Sequence, residues 1–209
     1  MTLPVDVQPA TGPQVAHCAP RPCAKATRFL NLVFYQVGWF ACVLGVAWDL
    51  QSIGVTIAVC LVGIHFYLAT DRSVQIPLAF AAATVGLLID SAQLWIGVFS
   101  FPRGTIVAWL PPPFMPVLWL QFATTLRYGC GWLSERYRLA ACFGLAGAPL
   151  AFFAGERLGA IEVLSPRSVS FGLLGLLWSL AVPLLVRVAD RLAARAAVTP
   201  DYRWPRQAL

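Results

Sequence analysis

Asp90 is the residue of this chain best placed to do chemistry. It sits well inside an apolar segment, residues 75–99, QIPLAFAAATVGLLIDSAQLWIGVF. A segment of this length crosses a bilayer as a helix, since about 20 residues suffice. An acid at that depth is expensive and should point toward protein or trapped water. It can then bind a ligand or a proton, act as an acid or base, or hold a neighbouring helix by a hydrogen bond. On a helix, Ala79, Ala83, Gly86, Asp90, Gln93 and Gly97 recur at spacings of three and four and form one small, polar stripe. Leu78, Val85, Leu88 and Ile96 fall elsewhere and are expected to face lipid.

A rise of about 1.5 Å per residue turns position into depth, and puts Asp90 about 10 Å from the outer end of its span. Gln121 falls at a similar depth on another span, and Gln93 lies one turn further out. Asp49, Glu156, Arg157 and Glu162 come at the outer mouth. These residues predict an outward-facing polar pocket, with Asp90, Gln93 and Gln121 as its contacts and Asp49, Glu156 and Arg157 at its entrance. The alternative at Asp90 is a structural hydrogen bond between helices, with Gln121 as the partner. Glu156 and Arg157 equally suit a helix cap. His65 sits about 8 Å from the opposite end, near the depth of Gln36 and Arg127, so it differs from Asp90 by more than about 10 Å and makes no catalytic pair with it. A satisfied packing histidine is the ordinary reading there, and a snorkelling side chain the ordinary reading of Arg127.

The rest of the chain supplies what such a stripe needs. Of 209 residues 59% are hydrophobic and 11% charged, with a mean hydropathy of +0.72. Soluble domains carry about 25% charged residues. Six apolar spans follow: 29–48, 53–70, 75–99, 114–132, 139–155 and 169–188. The expected architecture is all-α, a bundle of six transmembrane helices over residues 28–195. A proline-rich disordered tail, 1–27, precedes it and a basic, aromatic tail, 196–209, follows. With the N-terminus inside, twelve of the fifteen basic residues lie on or near the cytoplasmic side, and only Arg103, Arg157 and Arg167 lie outside. Both ends are therefore expected inside. The spans could fold as two three-helix halves, residues 29–99 and 114–188, inverted relative to each other, though the halves share no convincing sequence similarity.

Span five carries a packing signal: Gly147, Ala151, Gly155 and Gly159 recur every four residues, a spacing that lets helices approach closely. Pro149 in the same span predicts a kink. Trp48, Trp95, Trp109 and Trp119 read as anchors at the outer boundary. The six cysteines suggest no disulfide framework. His17, Cys18 and Cys23 match no standard metal spacing, so no metal or cofactor is expected. No zinc-protease, phosphate-loop or nucleophile-elbow motif occurs. The net charge of +6 is spread among loops, which suits anionic lipid and not nucleic acid.

Three phrases carry a resemblance: FYQVGWFACVLG from Phe34, PPPFMPVLWLQFATTL from Pro111 and GAPLAFFAGERLGAI from Gly147. With the six-span length they resemble a family of small bacterial inner-membrane proteins catalogued as domain of unknown function 2878. The resemblance covers about residues 29–188. It implies the six-span architecture and an inner-membrane location, transfers no catalytic residue, and implies a link to enzymes that modify fatty acyl chains of phospholipids. The functional expectation is a non-enzymatic membrane protein that binds or transports a small or lipid-like molecule. The alternatives are a scaffold for a membrane protein partner and an intramembrane enzyme using Asp90.

Overall fold

The computed structural model describes residues 23–107, 109–197 and 199–201. His17 and Cys18, most of the N-terminal tail, and Tyr202, Arg203, Trp204 and Arg206 lie outside the described residues. Six α-helices follow one another: α1 (Cys23–Ala47), α2 (Gln51–Leu68), α3 (Arg72–Trp95), α4 (Phe114–Arg127), α5 (Tyr137–Arg157) and α6 (Arg167–Ala196). The first helix begins at Cys23, within the stretch expected to be tail.

Five of the helices are long and apolar enough to cross a membrane: α1, α2, α3, α5 and α6. Their apolar windows are only 22–39% buried, so most of their surface faces outward, as lipid allows. The fourth helix is different. It has 14 residues, about 21 Å at the usual rise, and ten of them are buried. It stops at Arg127, and the amide of Cys130 turns back onto the Thr125 carbonyl at 2.7 Å ahead of a single 3-10 turn, Gly131–Leu133. Around α4 stand α1, α2, α3 and α6, while α5 packs outside on α6. The two expected halves are thus not separate bodies: α4 is enclosed largely by helices of the first three.

Two pairs of helices approach at glycines. A Cβ on Gly54 of α2 would lie 2.1 Å from the Ala41 carbonyl oxygen of α1. A Cβ on Gly144 of α5 would lie 2.2 Å from the Trp178 carbonyl oxygen of α6. Small residues allow backbones this close, and dispersion and weak backbone contacts hold them there.

Successive helices alternate in direction. The start of α1, the α2–α3 turn, the end of α4 and the end of α6 meet at one end, here the terminal end. Thr27 Oγ1 donates to Asp201 Oδ1 at 3.1 Å, Thr70 N–H donates to the Asp201 carbonyl at 2.9 Å, and the Tyr128 hydroxyl lies 2.9 Å from that same carbonyl. At the far end, β1 (Phe99–Ser100) and β2 (Glu162–Val163) pair antiparallel, with Phe99 opposite Val163, and so tie the α3–α4 loop to the α5–α6 loop.

Candidate functional site

The inward face of α3 carries Val74, Gln75, Leu78, Ala79, Ala82, Gly86, Asp90 and Gln93, all buried. Ala79, Gly86, Asp90 and Gln93 of the expected stripe are among them. Leu78 is a correction: it is fully buried against α4 and α6 and does not face lipid. Gly86 leaves the space that Trp119 fills, since a Cβ there would fall 2.1 Å from the indole ring. Through that gap Trp119 Nε1–H donates to Asp90 Oδ2 at 2.7 Å. Trp119 is 2% exposed, so it is a core side chain and not a boundary anchor. Its other face stacks on Trp178 of α6, with ring centroids 4.3 Å apart and planes 23° apart. Asp90 Oδ1 and both amide atoms of Gln93 are buried with no hydrogen-bond partner among the described residues.

Gln121 does not join Asp90. It follows Trp119 by two residues, which is about 200° around a helix. Trp119 therefore meets α3 and α6, while Gln121 meets α1 and α2. The Gln121 amide lies over Gly38, and its side chain lines a small void with Phe34, Tyr35, Val62, His65 and Thr124. Depth arithmetic gives height and no azimuth, so two residues at one height fall on opposite sides of α4.

The residues expected at the mouth also disperse. Glu156 makes a two-pronged ion pair with Arg167, at 2.6 and 2.7 Å, and accepts the Val163 N–H at 3.1 Å. It thereby fastens the α5–α6 turn. Arg157 is exposed. Asp49 holds the α1–α2 turn in a left-handed conformation, φ 59°, and lies 3.3 Å from Arg103. That pair is largely exposed and contributes little.

A second polar cluster, at the terminal end, was not foreseen as a unit. Asp71 is fully buried at the N-terminus of α3. Its carboxylate accepts from Arg127 Nε at 2.7 Å, Tyr128 Oη at 2.6 Å and Gln75 Nε2 at 3.5 Å. Gln75 Oε1 lies 3.4 Å from His65 Nε2, and His65 Nδ1 lies 3.4 Å from Asn31 Nδ2. Asn31 Oδ1 accepts the Gly129 N–H at 3.0 Å. The order of donors assigns the ring proton to Nε2, so His65 is a neutral, partnered core histidine. Arg127 ends in this ion pair and does not snorkel. The sequence signal was Asp71 four residues before Gln75, one helical turn apart; Asp71 reads alone as a turn residue.

Glycine spacing on α5 holds a similar lesson. Its inward face is Ala140, Gly144, Ala148, Phe152 and Gly155. A Cβ on Gly147 would meet nothing within 4 Å, and a Cβ on Gly155 would touch Ile161 at 3.5 Å. Gly159 ends the helix in a left-handed turn, φ 86°. Gly147 and Ala151 line a groove instead.

That groove has a volume of about 610 Å³. It exists because α1 pairs with α2 and α5 with α6, leaving a gap between α1 and α5 floored by α4. Leu32 and Gln36 of α1, Phe122 and Thr125 of α4, and Gly147 and Ala151 of α5 line it. Through Tyr35, Phe122, Ala151 and Trp178 it continues into a narrower chamber of about 70 Å³ toward Trp39 and Ile161. Among the described residues no charged side chain lines either part. Neither Asp90 nor Gln93 reaches it; Trp119 and Trp178 stand between. Among the described residues no group of three or more His, Cys, Asp and Glu is placed to hold a metal.

These features define a multi-pass helical membrane protein with a lateral apolar groove. Residues 28–184 match the family model described as Protein of unknown function (DUF2878), and the chain belongs to that family. No curated protein and no solved structure shows significant similarity to it.

Proposed function

We propose that this protein resides in a bacterial cytoplasmic membrane and takes one lipid chain from the bilayer into the groove between α1 and α5. The observation that carries the reading is the groove itself: about 610 Å³, within the usual range for ligand pockets, free of charge and set between helices whose outer faces suit lipid. Asp90 serves this site from behind. It fixes Trp119, Trp119 supports Trp178, and Trp178 forms the wall. Gln93 lies one turn further along α3 on the same buried face. The role is binding or hand-over of a lipid-like molecule, and no catalytic group is assigned.

Six passes with both ends inside complete the proposal. The fourth helix makes the internal pass, running from the far end to the terminal end under cover of its neighbours, where backbone and polar groups need not meet lipid. The skew of basic residues supports placing the terminal end in the cytoplasm. A C-terminal reporter that matures only in the periplasm should stay inactive; activity there reverses the orientation.

The binding claim is tested by native mass spectrometry of protein purified in mild detergent. Wild type should carry a lipid mass. Gly147→Trp, which fills the groove from a position with open space around it, should melt with wild type and lack that mass. A wild type free of lipid, or a Gly147→Trp variant that keeps the same lipid, overturns the reading. One observation favours a second reading: the small residues Gly147, Ala148 and Ala151 line one wall of the groove, as a docking face for another protein's helix would require. In that scaffold reading the mass that Gly147→Trp removes is a protein.

A further inference from the structure

We infer that Gln36 selects an uncharged lipid, by hydrogen bonding to a hydroxyl or ester carbonyl held inside the groove. The inference rests on the groove as a lipid site and names what that site prefers.

Gln36 lies seven residues along α1 from Phe29, where the groove begins, or about 10 Å deeper. Its side chain is exposed, on a helix otherwise suited to lipid, and it makes no hydrogen bond to the described residues. A primary amide left bare in hydrocarbon is costly, and polar side chains at membrane depth normally face a partner or a polar cavity. The glutamine on α4, Gln121, is enclosed between α1 and α2 and closed off from the groove, although its Oε1 has no partner among the described residues. Gln36 opens onto the groove, and no contact among the described residues accounts for it. What Gln36 faces is the groove. An amide can donate to a carbonyl and accept from a hydroxyl, so either group satisfies it.

Charge decides between lipid classes. An anionic headgroup drawn to this depth would need a cation beside it. None among the described residues lines the groove. Arg127, at the end of α4, does not line the groove and is engaged by Asp71 at 2.7 Å. Lys25 and Arg28 are exposed in the first turns of α1, outside the mouth. Beside Gln36 the groove offers Tyr35, Thr125, Cys130 and the indoles of Trp132 and Trp178, all uncharged. The Thr125 hydroxyl already donates to the Phe122 carbonyl at 2.7 Å, while Trp178 Nε1 has no hydrogen-bond partner among the described residues. A phospholipid must keep its phosphate outside and leave Gln36 against hydrocarbon. A diacylglycerol brings its hydroxyl and esters inward.

The test uses the full chain in nanodiscs and two quenchers with identical brominated chains, a diacylglycerol and a phosphatidylglycerol. Trp178 lines the groove and reports entry; Trp178→Phe identifies its share of the quenching. Diacylglycerol should quench at about tenfold lower mole fraction, the worth of one hydrogen bond in an apolar setting. Gln36→Leu, checked for unchanged melting, should bring the two lipids level without abolishing quenching. Equal quenching by both lipids in wild type overturns the selection by Gln36 and leaves the groove intact as a chain site. A preference that survives Gln36→Leu also overturns it. Quenching of Trp178 by neither lipid overturns the groove reading as well.

Discussion

Asp71→Ala should destabilise the protein by about 3–5 kcal/mol, the usual consequence of removing one member of a buried ion pair. The Asp71 side chain is fully buried and that of Arg127 is 10% exposed, so the guanidinium left behind gains little from water. The loss spreads further. Tyr128 gives up its 2.6 Å hydrogen bond, and Gln75 loses the acceptor that completes its bridge toward His65 and Asn31. That network joins α1, α2, α3 and the end of α4, so a local deletion acts on four elements at once. The measurement is thermal or denaturant unfolding in detergent, with Arg127→Leu and the double variant alongside. The double variant should recover part of the loss, because it leaves neither charge without a partner. If Asp71→Ala melts with wild type, the pair does not organise the terminal end.

Gly144→Val and Gly147→Val should differ sharply, although the two positions are three residues apart on one helix. A side chain at Gly144 runs into the Trp178 carbonyl, which is backbone and cannot swing aside. The two helices must separate, at about 1–3 kcal/mol or more for an overpacked contact. The shift would also disturb Trp178, and through its stacking partner Trp119 the hydrogen bond to Asp90. At Gly147 a side chain enters open space, and the melting point should stay within about 0.5 kcal/mol of wild type in free-energy terms. Equal effects at both positions would mean that α5 packs on a different face.

These pairs show which parts of the molecule a linear reading reaches. The apolar runs, the alternation of helix direction and the buried stripe of α3 follow from length, hydropathy and spacing, which are properties of one segment at a time. What lies between segments does not. Asp90 and Gln121 share a height, and α4 turns them to opposite neighbours. Trp119 has the residue type and position of a boundary anchor; only the gap at Gly86, on another helix, admits it to the core. Gly144, Ala148 and Gly147, Ala151 have the same four-residue period, and the partner's backbone decides which pair is pressed. The shortness of α4 is hidden because apolar residues continue past Arg127 to Trp132, while the Thr125–Cys130 turn ends the helix from within. The groove is the least legible feature, because it is made of two helices failing to meet.

The contact between Thr27 and Asp201 has a consequence for how the molecule comes to be built. Its partners are 174 residues apart, among the first and last described parts of the chain. Ribosomes add about 5–20 residues per second, so on the order of 10 s or more separates the appearance of one partner from the other. By the time Asp201 is made, α1, the α2–α3 turn and the end of α4 have all been synthesised, and the seam they share lacks only this last partner. Closure at Asp201 follows the synthesis of α6, so the end of the first helix is sealed only after all six helices have been made.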